Sequence, residues 1–245
     1  MKIVLFDIDN TLTPSGEKIP QKMVETIIKL STISDIVLGL VGGGKFDKLC
    51  WQLGDSIKYF KYIFTECGSV IYVDQKMVME NNMLAHCNRT VLNNIISKAL
   101  YTISQMPIIY HGNQIDFRKG LIYISPPGIQ ATEYERSYFI KKDKELNLRA
   151  KLLTSMKTVN IDNLFEITFG GSCGIAVFPR GWNKSQAIKY FVDQNITGQI
   201  YFFGDKCGSD GNDYPIYSHP LVTGFCVADY QDTIQKINDF FNINN

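Results

Sequence analysis

The sequence predicts an α/β protein: a Rossmann-like, doubly wound layer with a smaller α+β domain inserted into it. Three observations lead there. Apolar runs alternate with helical spacing over the first part of the chain, the alternation breaks near Asp74, and it resumes after Gly181. Strand–helix alternation builds a parallel sheet with helices on its faces, whereas strands and helices in mixed order build an α+β layer. The expected core spans residues 1–76 and 184–245, and the expected inserted cap spans 77–183.

Ile3-Val4-Leu5-Phe6 reads as a short buried strand that ends abruptly in Asp7 and Asp9. Over 21–31, Met23, Ile27, Ile28 and Leu30 recur at helical spacing. A second strand over 35–41 runs into Gly42-Gly43-Gly44-Lys45, and a helix is expected over 46–53. A glycine cluster between strand and helix exposes backbone N–H groups, which suits an anion, although a plain flexible turn has the same sequence. Strands follow over 62–65 and 70–73. In the inserted part, helices are expected over 90–103 and 141–156, with strands over 114–118, 121–125, 164–169 and 174–178. The α/β pattern returns with a helix carrying Ala187, Ile188, Phe191 and Val192, and a strand over 199–203 that ends in Gly204-Asp205-Lys206. A strand over 222–227 and a helix over 229–241 close the chain.

The bulk properties narrow the function. A hydrophobic content of 45% with 20% charged residues fits a packed core. A net charge of +1 argues against a general polyanion binder, so no nucleic-acid partner is expected. No 18-residue apolar run and no secretory leader appears, so neither a membrane span nor export is expected and a cytoplasmic location is. The six cysteines form no C-x-x-C pair, which fits reduced thiols.

The chemistry concentrates at strand ends. Two carboxylates two residues apart at the end of a buried strand are costly without a counter-charge, and a hard divalent cation takes oxygen ligands. Open α/β sheets place their sites at the carboxyl ends of the strands. With parallel strands, Asp7, Asp9, the loop at Gly42, Lys184, Asp205 and Asp213 gather at one edge. Alone, Lys184 reads equally as a solvated lysine and Asp205 as a turn residue. Together, acids, a divalent cation and a lysine can hold a phosphoryl group. One carboxylate can attack phosphorus, and a second can move the proton of the leaving or attacking oxygen.

These residues carry a resemblance. D-I-D-N-T, a lysine before a helix, and G-D-K with a later N-D resemble the haloacid dehalogenase superfamily. FDIDNTLTP, LVGGGKFDKLCWQLGD, FEITFGGS, VFPRGWNK and YFFGDKCGSDGND extend it, and the chain resembles the eukaryotic-type phosphomannomutases over nearly its whole length. The resemblance implies a haloacid dehalogenase core with an α+β cap, Asp7 as phosphorylated nucleophile and Asp9 as general acid/base. It implies Mg²⁺ held by Asp7, the Asp9 carbonyl and Asp205, supported by Asn212 and Asp213, with Lys184 on the phosphoryl group. Arg118 and Arg136 stand at positions that take the substrate's second phosphate, and Gly43, Gly44 and Gly174 at substrate-facing positions. The implied reaction interconverts mannose 6-phosphate and mannose 1-phosphate for GDP-mannose synthesis. A hexose 1,6-bisphosphate is the implied activator, and a homodimer through the cap the implied assembly.

The chain also departs from that pattern. Gly16 and Ile129 stand where the family has arginines, Gly174 and Ala176 where it has a serine and an aspartate, and His219 where it has a carboxylate. The family's E-N-G reads Glu66-Cys67-Gly68, and Lys45 stands in its G-G-S-D segment. Arg118 beside Asp116, and Arg136 one turn from Glu133, also read as ordinary ion-pair partners. Two further readings follow: a Mg²⁺-dependent sugar-phosphate phosphatase of the same superfamily, and a non-catalytic sugar-phosphate binder.

Overall fold

A computed structural model describes residues 1–243. The chain forms two compact units: Met1–Asn81 with the described residues from Trp182 onward, and Asn82–Gly181. The first border falls later than residue 76 because a strand absent from the sequence reading, β5 (Lys76–Glu80), pairs into the larger sheet.

The first unit is built on a seven-stranded sheet, in the order β11-β10-β1-β2-β3-β4-β5. Its strands are β1 (Lys2–Phe6), β2 (Ile36–Val41), β3 (Phe60–Thr65), β4 (Val70–Val73), β5 (Lys76–Glu80), β10 (Gln199–Gly204) and β11 (Val222–Cys226). The five on the β11 side are parallel, β4 pairs antiparallel with β3, and β5 pairs antiparallel with β4. β1 lies between β2 and β10, so its apolar run is fully buried, as a parallel strand covered on both faces must be. Val4 and Phe6 face one core layer, with Met23, Ile27 and Leu30 of α1 (Gln21–Ser31) and Ile234 and Ile237 of α8 (Tyr230–Phe241). Ile3 and Leu5 face the other, with Ala187, Ile188 and Phe191 of α6 (Gln186–Asp193) and Ile216 of α7 (Tyr214–Tyr217). Phe203 stacks on Phe6 at 5.2 Å and on Phe225 at 4.6 Å, tying three adjacent strands together. The chain winds from β1 toward β3 on one side and adds β10 and β11 on the other. That reversal falls between β1 and β10, and open α/β sheets place their ligands at the carboxyl ends of the strands at such a point.

The second unit is an antiparallel sheet in the order β6-β7-β9-β8, with strands Ile115–Phe117, Ile122–Ile124, Gly174–Pro179 and Phe165–Gly170, respectively. Ile122, Ile124, Ile175, Val177 and Ile167 are buried, as are Ile95 and Ala99 of α3 (Arg89–Ser104) and Leu152 and Met156 of α5 (Leu148–Lys157). The single helix expected over 141–156 is two, α4 (Glu133–Leu146) and α5. Asn147 adopts a left-handed conformation between them (φ 54°), which asparagine tolerates better than most residues. A capping box at Thr132 and Glu135 fixes where α4 begins.

No helix among the described residues is long and apolar enough to cross a membrane. All six cysteines are free thiols.

Candidate active site

The carboxyl ends of β1 and β10 bring together the residues singled out at the strand ends. Asp7 follows β1 directly, and its N–H donates to Phe203 O at 2.9 Å, locking it beside β10. Asp205 follows β10. Asp213 reaches the same place from the loop after it, and its carboxylate lies against Gly204. A Cβ there would come within 2.7 Å of Asp213 Oδ2, so only glycine permits the approach. Carboxylate oxygens of Asp7, Asp205 and Asp213 lie within 4.8 Å of one another.

Lys184 is the cation of this cluster and not a surface lysine: it is 1% exposed. Its ammonium donates to Asp7 Oδ1 and, at 2.5 Å, to Asp213 Oδ1. Asp213 Oδ2 accepts the Lys206 N–H at 3.0 Å. Burial pushes the Asp7 carboxyl up to about 7 in spite of Lys184, with Asp213 adding to the rise. Burial acts to discharge Lys184, yet Asp213 and Asp7 outweigh it and hold the ammonium above its usual range. Burial favours the neutral acid at Asp7, while the lysine stays protonated because two carboxylates converge on its ammonium. Three carboxylates against one ammonium leave an excess of buried negative charge, which a divalent cation offsets. The donor set fits one: the buried oxygens Asp205 Oδ1 and Asn212 Oδ1 have no hydrogen-bond partner among the described residues.

Asp9 sits in a separate, wetter environment. Its carboxylate accepts from Lys48 Nζ at 2.7 Å, from Gly16 N at 2.8 Å and from Gln52 Nε2 at 2.8 Å. Burial raises its pKa, but these three partners outweigh burial and hold it below the ordinary carboxylate range. Two acids two residues apart are thus driven in opposite directions by their surroundings, the pattern expected of groups with different protonation duties. Lys48 and Gln52 were missed in the sequence reading. Their spacing of four on α2 (Phe46–Leu53), just after the glycine loop, puts both on one helix face and was the available signal. Asn10 was missed as well; it adopts φ 63° and its amide donates to Asp205 Oδ2 at 3.1 Å.

In the glycine loop, the Gly42 N–H is taken by Phe64 O at 2.9 Å, and Gly44 O accepts the Glu66 N–H at 3.1 Å. Gly43 and Gly44 belong to this loop, between β2 and α2.

The remaining sequence candidates belong to the second unit. Arg118 Nε donates to Asp116 at 2.7 Å, and its guanidinium lies 5.0 Å from the centroid of the Tyr123 ring. Arg136 is exposed in the first turns of α4 and makes no ion pair with Glu133 among the described residues. Gly174 pairs with Gly170 across β9 and β8. Burial pushes the Tyr123 hydroxyl up to about 12, with Cys173 adding to the rise, while Arg118, Arg136 and Arg149 pull the other way.

A family model described as eukaryotic phosphomannomutase matches residues 23–243. Among named relatives, the chain is 32% identical to Phosphomannomutase 1 of Homo sapiens, across 98% of this chain and 92% of that one. It is 33% identical to Phosphomannomutase 2 of Dictyostelium discoideum, across 98% and 96%. Among solved structures, an N-terminally truncated, IMP-bound IMP-nucleotidase of Plasmodium falciparum superposes with a TM-score of 0.72 at 15% identity. That match covers 99% of this chain and 68% of the other.

Proposed function

The chain belongs to the eukaryotic phosphomannomutase family, on a haloacid dehalogenase-type fold, and we propose that it interconverts mannose 6-phosphate and mannose 1-phosphate through a phosphorylated aspartate. One observation carries the proposal: the buried cluster in which Lys184 joins Asp7 and Asp213 beside Asp205, at the carboxyl ends of β1 and β10.

In this reading Asp7 is the nucleophile. A carboxylate oxygen attacks phosphorus as the bond from phosphorus to the sugar oxygen breaks. Lys184, already charged and held on Asp7, neutralises negative charge on the transferring group. Asp9 moves the proton. As a carboxylate held down by Lys48, Gly16 and Gln52, it is in the form that accepts a proton from a sugar hydroxyl attacking the aspartyl phosphate. Donation to the leaving oxygen in the other half-reaction needs the protonated form, so the Lys48 ion pair must loosen between the two halves.

Mg²⁺ is the cation proposed for the acidic cluster, held by Asp7, Asp205 and the Asp9 carbonyl with support from Asn212 and Asp213. When bound, it supplies charge neutralisation at the transferring phosphoryl group. Arg118 and Arg136 are proposed for the substrate's second phosphate, since an arginine fork bonds two phosphate oxygens at once. Gly43, Gly44 and Gly174 are proposed as backbone lining of the substrate site, and a hexose 1,6-bisphosphate as the activator. The product fits supply of GDP-mannose synthesis. The free thiols support a cytoplasmic, reducing location. Leu100 and Tyr101, exposed on α3, support a homodimer through the second unit.

The test is a coupled assay of mannose 1-phosphate conversion with hexose 1,6-bisphosphate present, run beside free-phosphate release. Isomerisation exceeding phosphate release supports the mutase. Phosphate release alone selects the phosphatase reading, which the substitutions at Gly16 and Ile129 favour. Neither product selects the non-catalytic binder.

A further inference from the structure

Gly170 and Gly174 stand opposite each other at the end of the β8–β9 hairpin, and neither has a positive φ. Their backbones would accept any residue; the obstacle is a neighbouring ring. A Cβ on Gly174 would lie 2.3 Å from Tyr123 Cζ and 2.4 Å from its hydroxyl oxygen, and one on Gly170 would lie 2.9 Å from Tyr123 Cε2. The Tyr123 hydroxyl donates to Gly170 O at 3.1 Å, which pins the ring over the two glycines.

Tyr123 is the central residue of β7, with Asp116 and Ala176 as its Cα partners on either side. Ile122 and Ile124, its neighbours along the strand, are buried in the core of this unit, so the ring stands on the opposite face of the sheet. On that face Asp116 grips Arg118 Nε from one side, while the guanidinium lies over the Tyr123 ring. An arginine fixed at Nε and supported on an aromatic face loses little freedom when it binds an anion. Tyr123 fills the room that a side chain at Gly174 would need.

We propose that Tyr123 is the positioning residue of the phosphate-binding arginine in this chain: its ring, seated over Gly170 and Gly174, holds Arg118 ready for the second phosphate of the sugar phosphate. This rests on the assignment of Arg118 to substrate made above. The ring does the work, and the hydroxyl only anchors it to Gly170. The exchange is also sterically linked: a side chain at position 174 and the ring at 123 exclude each other.

The full-length protein tests both parts. Mannose 1-phosphate affinity, KM and kcat are measured for Tyr123→Phe and Tyr123→Ala, with inorganic phosphate as a second ligand. Melting temperatures are measured for these, for Gly174→Ser and for Gly174→Ser/Tyr123→Ala. Loss of a cation–π support weakens binding by roughly 2- to 30-fold. The expected result is such a loss in Tyr123→Ala, in KM rather than kcat, with Tyr123→Phe within about twofold of the parent. Gly174→Ser is expected to melt lower than the parent, and Tyr123→Ala in the same chain to restore part of the loss. Parental affinity in Tyr123→Ala, or equal losses in Phe and Ala, overturns the positioning role. A Gly174→Ser protein that melts like the parent overturns the steric link. If the parent binds no mannose 1-phosphate, the functional reading fails by itself, and the inorganic phosphate comparison of Tyr123→Ala with the parent still decides the role of the ring.

Discussion

The ammonium of Lys184 lies 2.5 Å from Asp213 Oδ1, and neither side chain is more than 1% exposed to solvent. Lys184 also donates to Asp7, so a single buried cation holds the proposed nucleophile and the end of the 205–213 loop in place. Removing it leaves buried carboxylates without their counter-charge.

Lys184→Met is therefore expected to lower stability by about 3–5 kcal/mol, the usual effect of taking one partner from a buried ion pair. Denaturant unfolding of the mutant and parent checks this. A loss below about 1 kcal/mol, within the range of exposed pairs, contradicts the structure at this point.

Asp7→Asn is expected to abolish phosphoryl transfer while the protein stays folded. The amide is nearly the same shape but is neither a nucleophile nor a good cation ligand. Circular dichroism reports the fold, and a radiolabelled sugar phosphate reports transfer. A folded mutant that retains substantial turnover would remove Asp7 from the mechanism.

Asp9→Asn is expected to lose about 10²–10⁴-fold in turnover, the contribution of a positioned proton-transfer group. Phosphorylation of Asp7 by acetyl phosphate should persist, because a good leaving group needs no proton. Labelling of the parent but never of the mutant refutes the division of labour between the two aspartates.

Millimolar Mg²⁺ is expected to raise the melting temperature and EDTA to lower it. A ligand confined to the native state adds about 2.7 kcal/mol at 100 times its Kd. Asp205→Asn should shrink the shift, since Asp205 Oδ1 is a buried oxygen without a hydrogen-bond partner among the described residues. Equal melting temperatures in EDTA and Mg²⁺ speak against a cation site.

Gly16→Arg/Ile129→Arg is expected to raise the ratio of isomerisation to phosphate release by retaining the bisphosphate. A side chain at Gly16 has open space around it, but φ there is +75°. A left-handed arginine costs roughly 1–2 kcal/mol of stability. An unchanged or lower ratio in the folded mutant means this chain takes a different substrate.

How much of this was legible in the sequence follows from how local each signal is. β1, β2 and β10 are short apolar runs bounded by turn residues, and their ends were readable to within a residue or so. β5 was not, because Lys76, Met77 and Val78 are exposed and the strand is defined by pairing with β4 rather than by burial. The break at Asn147 escaped because the residues on both sides favour helix, and the left-handed conformation there is a backbone fact. Asp7, Lys184, Asp205 and Asp213 were visible as strand-end and helix-start residues that parallel pairing would bring together. Lys48 and Gln52 share a helix face by their spacing of four, but only the fold shows them reaching Asp9. Tyr123 stands on a strand that reads as plain core, and its quarrel with a side chain at position 174 is a distance no sequence displays.

The parallel pairing of β1 with β10 also sets a timetable. Asn10 and Asp205 touch across 195 positions of chain. At a synthesis rate of about 5–20 residues/s, that interval is roughly 10–40 s on the ribosome. Throughout it, the strand bearing Asp7 has one open edge, and the loop that carries Asp205 and Asp213 has not yet been made. The intervening unit has no such wait, because its four strands pair only with one another. A nascent chain therefore holds a finished antiparallel domain and five strands of the seven-stranded sheet, and acquires its reactive centre in one late step, when β10 slides in beside β1.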